Sequence, residues 1–205
     1  MPNYPPEPWR MAGDAFLSAW WVPTSEVPSV PAGLEPLSIA GHALVLTAWV
    51  NYRAPSPLTY HELLAAVAVR GQRRAAGTIT EIWVDSTDSL AGGRELWGIP
   101  KGMATFDVAG GRTLRASAAT AEDWIATAAF TPRFGPPFAV PGSCTISQAF
   151  GAAIKHSPVR VRAHSSLAAA SWNINPAGPL GYLTGRAPLL STRLRDFDML
   201  FGAKR

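Results

Sequence analysis

Only three of the 18 cationic residues in this chain are lysines: Lys101, Lys155 and Lys204. Arginine is the default cation, so each lysine marks a place where a guanidinium would not serve equally well. Lys204 reads as a solvated residue, and Lys155, beside His156, reads as part of a polar turn. Lys101 differs, because it is set in Leu96-Trp97-Gly98-Ile99-Pro100-Lys101-Gly102-Met103-Ala104. Apolar surroundings disfavour the ammonium form, so Lys101 is expected to titrate below the ordinary lysine range. A neutral amine can attack a carbonyl carbon and form an iminium, chemistry closed to an arginine that never deprotonates. On composition alone, a lysine between proline and glycine is more often ordinary turn chemistry. Glu62 is the second candidate. It opens the apolar run Glu62-Leu-Leu-Ala-Ala-Val-Ala-Val-Arg70, where an ionised carboxylate without a partner is costly. That placement suits a general acid/base, and the competing reading is a strand-end glutamate in solvent.

The elements that must position these residues read as mostly β. Pro2, Pro5, Pro6 and Pro8 make residues 1–12 an extended arm. Ala15 to Val22 reads as a strand stopped by Pro23, and Ser25 to Pro36 as a turn-rich connector. Ala43 to Tyr52 and the alternating, β-branched Ala76 to Asp85 read as strands. Leu58 to Arg70 suits a helix by propensity and a buried strand by length and its Gly71 stop. Ser89 to Trp97 predicts a short helix, capped by Ser86 or Ser89 and ended by Gly98 and Pro100. Met103 to Ala109 and Thr113 to Ala119 flank Gly110-Gly111 as a hairpin. Ile125 to Thr131, Ser143 to Phe150, Val159 to Ser171 and Ser191 to Phe201 continue the β pattern. With no repeat and no long linker, residues 1–205 form one domain in this reading.

Other chemistries lack their residues. The sequence has no GxGxxG, no phosphate loop and no GxSxG elbow. His42, His61, His156 and His164 are far apart, and Cys144 is the single cysteine. No metal site and no cofactor are therefore expected, and Cys144 reads as a small buried hydrophobe. A single cysteine requires no oxidising compartment, the first residues hold no apolar signal segment, and no apolar run is long enough to span a bilayer. The expectation is a cytoplasmic protein with no membrane partner. The net charge of +4 is spread out, with its densest group at Arg70, Arg73 and Arg74, so nucleic acid is not an expected partner. Hydrophobic residues make up 47% and charged residues 16%. That balance supplies a core and leaves apolar surface for a homo-oligomer.

Gly93-Arg94-Glu95-Leu96-Trp97-Gly98-Ile99-Pro100-Lys101 resembles the active-site signature of the acetoacetate decarboxylase family. There a Gly-Arg-Glu segment leads through proline to the Schiff-base lysine. Tyr60-His61-Glu62 resembles the family's Tyr-x-Glu segment, whose glutamate faces that lysine. The Phe16 to Pro23 strand and the Asp196-Phe197 region resemble the family more weakly. The resemblance implies a β-dominated α+β fold, a closed cone-like β-barrel with a few short helices and an apolar internal cavity. It implies a lyase without cofactor acting on a small keto acid, with Lys101 and Glu62 catalytic. Arg94, Glu95 and Tyr60 would bind substrate or orient the lysine loop. Decarboxylation of a β-keto acid is the first reaction implied, and the alternatives are aldol or dehydration chemistry on a pyruvate-like acid, or a non-catalytic barrel binding an apolar or keto-bearing ligand. Two positions depart from the pattern. Gly102 stands where the decarboxylase has a second lysine, and Gly13 aligns with an N-terminal substrate arginine, with Asp14 beside it.

Overall fold

The computed structural model describes residues 3–70 and 75–202. The expectations for Lys204, for the Arg73 and Arg74 charges and for the Gly71 stop lie outside these residues. The chain is β-dominated, as the alternation in its sequence requires. Strand β1 (Trp9–Pro23) is followed by the short β2 (Ser38–Ile39), β3 (His42–Tyr52), β4 (Tyr60–Val69) and β5 (Ala76–Val84). Helix α1 (Thr87–Trp97) then leads through β6 (Gly102–Met103) to β7 (Thr105–Ala109), β8 (Leu114–Ala119) and β9 (Trp124–Pro132). The chain closes with β10 (Ala139–Phe150), β11 (Ala153–Ile174) and β12 (Leu190–Phe201). No helix among the described residues is long and apolar enough to cross a membrane.

β1 pairs antiparallel with both β3 and β12. On one side β3, β4 and β5 follow in antiparallel order, and on the other β12, β11 and β10 do the same. β10 also meets β5 in a short parallel contact, Thr145↔Ala76 and Ile146↔Gly77. Strand β11 is 22 residues long and serves two layers. Its first part pairs with β10 and β12, while Ala168 to Ile174 pair with β9, which continues through β8 and β7 as a flanking sheet.

Because side chains alternate across a strand, β1, β3, β4 and β5 each feed two apolar clusters. Trp9, Met11, Val50, Tyr60, Ile79, Val84 and Phe197 belong to one, which also lines the cavity described below. Phe16, Trp20, Trp49, Leu63 and Val67 face the other way and pack against Ile125, Ala128 and Phe130 of the flanking sheet.

Two expectations change and one open reading is decided. Residues 9–12, read as part of the arm, begin β1, since Trp9 and Met11 are buried and Trp9 pairs with Phe201. The run after Leu58 is a strand, because β3 and β5 flank it on both sides. Lys155 lies on β11 and not in a turn. The turn falls earlier, at Gly151 with φ +60°, and Lys155 Nζ donates to Glu7 (3.0 Å) and to the Leu96 carbonyl (2.6 Å). His156, next along the strand, contacts Ser147 of β10 at 2.9 Å.

Candidate active site

Helix α1 is what brings the lysine to Glu62. Ser86 caps it, accepting from Ser89 N–H at 3.2 Å, which places Ser89 in the first turn with its side chain inward and fully buried. At the other end Gly98 adopts φ +67°, and its N–H and that of Ile99 bond back to the Arg94 and Gly93 carbonyls at 3.0 and 3.1 Å. This left-handed stop favours glycine. It turns the chain so that Ile99, Pro100 and Lys101 run back alongside the helix. Lys101 N–H bonds to the Ile99 carbonyl (2.8 Å), and Arg94 Nε donates to the Lys101 carbonyl (2.8 Å). The helix is shaved where the lysine passes. A Cβ on Gly93 would stand 2.7 Å from Lys101 Cδ and 2.8 Å from Cε.

The amine is buried and fully partnered. Lys101 is 4% exposed and Glu62 3%. Lys101 Nζ donates to Ser89 Oγ (2.8 Å), Glu62 Oε2 (2.9 Å) and Tyr60 Oη (3.3 Å), so all three ammonium protons have acceptors. The other carboxylate oxygen, Glu62 Oε1, accepts from Tyr52 Oη at 3.0 Å. Tyr52 and Tyr60 pack against each other with ring centroids 4.5 Å apart and planes tilted by 35°. Burial pushes the Tyr60 phenol up to about 12, against the opposing charge of Lys101, and burial together with Glu62 holds Tyr52 well above its ordinary value. Both phenols therefore stay protonated at neutral pH.

The lysine itself departs from the expectation. Burial does act to lower its pKa, but the Glu62 carboxylate and Tyr60 outweigh it, and Lys101 titrates above the ordinary lysine value. The sequence neighbours of Lys101 report only burial. The opposing partner comes from β4, 39 residues away.

These groups line a cavity of about 250 Å3, slightly smaller than the usual small-molecule site of roughly 300–1,000 Å3. Its walls are aliphatic and aromatic, including Leu46, Leu64, Ile79, Ile146, Val161 and Met199. Cys144 is part of the wall, half-buried, with its thiol pushed up by burial. Gly13 lies on the cavity-facing rhythm of β1 with Met11 and Ala15, but a Cβ there would come within 2.0 Å of the Asn51 carbonyl oxygen. Gly102 backs onto Trp83, 3.2 Å from where its Cβ would be.

Of the residues singled out from sequence, Lys101, Glu62 and Tyr60 converge. Arg94 touches the lysine only through its backbone carbonyl, with its own side chain at the surface. Glu95 is exposed on α1, accepting from Tyr4 Oη outside the cavity. Arg10, the arginine nearest to Gly13 in the sequence, is on the outer surface, paired with Asp198 at 2.6 Å. Two members of the cluster were not anticipated, Ser89 and Tyr52. The signal for Tyr52 was available, since it falls on the same strand face as Val50 and Ala48, directly opposite Tyr60. The sequence context of Ser89 is that of a helix cap.

A family model described as acetoacetate decarboxylase matches residues 1–161. No curated protein matches the chain at a significant level. Among solved structures, acetoacetate decarboxylase from Legionella pneumophila superimposes with a TM-score of 0.74 at 16% identity, covering 98% of this chain and 87% of that one. The enduracididine biosynthesis enzyme MppR, complexed with pyruvate, gives 0.71 at 15% identity, covering 98% and 91%. An acetoacetate decarboxylase-like enzyme from Sphingomonas wittichii gives 0.68 at 14% identity, covering 98% and 93%. At these identities the likeness concerns the fold.

Proposed function

The chain belongs to the acetoacetate decarboxylase family, and from that premise we propose that it is a lysine Schiff-base lyase with Lys101 as the condensing amine. The observation that carries the proposal is the buried contact of Lys101 Nζ with Glu62 Oε2 at 2.9 Å, on the wall of an otherwise apolar cavity. The short contact of β10 with β5 supports reading the fold as the cone-like barrel that encloses such a cavity. A homo-oligomer remains part of the proposal, supported by the outward Phe134 and Phe138, 82% and 65% exposed.

The resting pair is ammonium and carboxylate. Entry of a carbonyl compound displaces water, and in a drier cavity a neutral amine–acid pair gains on the ion pair. Glu62 takes one ammonium proton, and the free amine adds to the carbonyl carbon. The new alkoxide takes that proton from Glu62, the nitrogen returns one to Glu62, and the hydroxyl leaves as water with it. The sum is ammonium plus carbonyl giving iminium plus water, with the Glu62 carboxylate regenerated. One cation is replaced by another beside the same anion, so no neighbouring positive charge is needed at position 102. Tyr52 holds the far carboxylate oxygen and Ser89 the amine, which fixes both groups for transfer.

The iminium is an electron sink. With a β-keto acid the neighbouring C–C bond breaks and releases CO2, the reaction that family membership supports. With a 2-keto acid, loss of an α-proton gives an enamine for aldol addition or dehydration, a reading supported by the likeness to the pyruvate complex of MppR. Borohydride reduction after incubation with acetoacetate, pyruvate or a longer 2-keto acid, followed by peptide mapping, tests the proposal. An adduct on Lys101 that is absent from Lys101→Ala is the expected result. Retained turnover by Lys101→Ala would remove the lysine mechanism, and the absence of an adduct with every compound would leave a ligand-binding fold.

A further inference from the structure

The cavity that holds Lys101 contains one cation and one anion, and they are already paired. Among the described residues lining it, Lys101 and Glu62 are the sole charged side chains. The position that aligns with a substrate-binding arginine is Gly13, where the Asn51 carbonyl leaves no room for any side chain. A substrate bearing a carboxylate would therefore bring a second anion to a single cation. After condensation the iminium would face both the Glu62 carboxylate and the acid, leaving one negative charge buried without a partner, a costly state. A neutral carbonyl compound leaves the iminium and Glu62 balanced.

The shape of the cavity adds a second constraint. Along β3 the inward residues run Tyr52, Val50, Ala48, Leu46, and along β4 they run Tyr60, Glu62, Leu64, Ala66. From Tyr52 to Leu46 this wall extends about 20 Å at the usual rise per residue. Ala15, Ala48 and Ala66 keep it open between larger neighbours. Exposure rises away from the amine, from 3–4% at Glu62 and Lys101 to 38% at Leu46. Beyond the polar cluster the described lining offers hydrocarbon, aromatic rings and the protonated Cys144.

We propose that the compound loaded onto Lys101 is a neutral ketone or aldehyde carrying a hydrocarbon tail, with the tail lying along the cavity toward Leu46. The inference rests on the Schiff-base reading and narrows its substrate class. The carbon–carbon step is then of aldol type. The iminium gives an α-proton to the Glu62 carboxylate, the resulting enamine carbon attacks the carbonyl of a second aldehyde, and that oxygen takes the proton back from Glu62. Water hydrolyses the iminium and frees Lys101.

The test is cyanoborohydride trapping on intact protein, read by mass, with acetone, 2-heptanone and 2-undecanone against β-keto and 2-keto acids of matched carbon number. Melting shifts with the same compounds are recorded without reductant. Half-saturation for the ketones is expected to fall about fourfold per methylene until the cavity is filled, the equivalent of about 0.8 kcal/mol per buried CH2. Each matched acid should require at least tenfold more. Ala66→Phe should flatten the chain-length dependence while acetone still traps. Acids trapping at or below the concentrations of their matched ketones would overturn the proposal. If nothing traps, the Schiff-base reading fails, and the melting shifts decide the substrate class separately. Shifts that grow with ketone length and are absent for the acids uphold the apolar ligand, and no such growth refutes it.

Discussion

Replacing Glu62 by glutamine reverses the electrostatic balance around Lys101 while hardly changing the volume of the side chain. Glutamine still offers one oxygen and can still bond Tyr52, but it carries no charge. The influences that raise the Lys101 pKa come from Glu62 and Tyr60, and burial opposes them. Without the carboxylate, burial prevails and Lys101 moves below the ordinary lysine value. Removing one partner of a buried pair costs about 3–5 kcal/mol while the other stays charged, or roughly 6–20 °C in Tm at this chain length. The pH dependence then changes sign. In the wild type the folded lysine binds its proton more tightly than the unfolded one. The contribution of the pair is therefore complete below the ordinary lysine pKa and is lost as pH rises through the higher folded value. In Glu62→Gln the unfolded chain holds the proton more tightly, so stability climbs with pH between the lowered and the ordinary value, by up to about 1.4 kcal/mol per pH unit. Urea melts from pH 6 to 10, with amine labelling mapped to the Lys101 peptide, read both effects. Glu62→Gln melts that parallel the wild type in pH, or Lys101 labelling that needs higher pH than in the wild type, would refute the reasoning.

Three further outcomes follow from the same geometry. Lys101→Met combined with Glu62→Leu should be at least as stable as either single variant and inert in trapping, since apolar replacement of a buried pair is often neutral or stabilising by about 1–4 kcal/mol; denaturant melts check this. Gly93→Ala should push the lysine stem aside, lowering trapping rate by on the order of 100-fold through misplacement of Nζ, and a wild-type rate would show that the 2.7 Å approach is relieved at no cost. Glu81, pushed up to about 7 by burial, binds its proton more tightly folded than unfolded, so its ionisation weakens the fold as pH rises from about 4.5 to 7. Glu81→Gln should therefore gain on the order of 2 kcal/mol over the wild type at pH 8 relative to pH 5, and equal pH profiles would contradict the assignment.

The legible part of the sequence was what local pattern carries. Alternation at Ala76 to Asp85 and glycines at 110 and 111 located strands and a hairpin, and Ser86 with Gly98 bounded the helix nearly to the residue. Lys101 stood out because its type is rare here and its neighbours are apolar, and Glu62 because a carboxylate opened an apolar run. What depends on distant partners was not legible. The titration of Lys101 is decided across 39 residues, Ser89 serves the amine although its local context is that of a helix cap, and Lys155 looked like a turn because its partners, Glu7 and Leu96, are far along the chain. The helix-like propensity of residues 62–70 gave way to two flanking strands, which no local count contains.

Strand β11 works as a ruler for the whole molecule. Its register is read twice, by β10 and β12 over its first part and by β9 over its last seven residues. Inserting or deleting one residue would flip the inward and outward faces of whatever follows it, exchanging the Val159–Val161 wall of the cavity with residues such as Arg160 and Arg162, or turning Trp172 away from its packing on Trp20 and Phe130. The irregularity between Arg162 and His164 is the one place in its pairing with β12 where the count already slips. Within β11 a change in chain length is thus best absorbed at that point, while substitutions remain free to reshape the cavity that the strand walls.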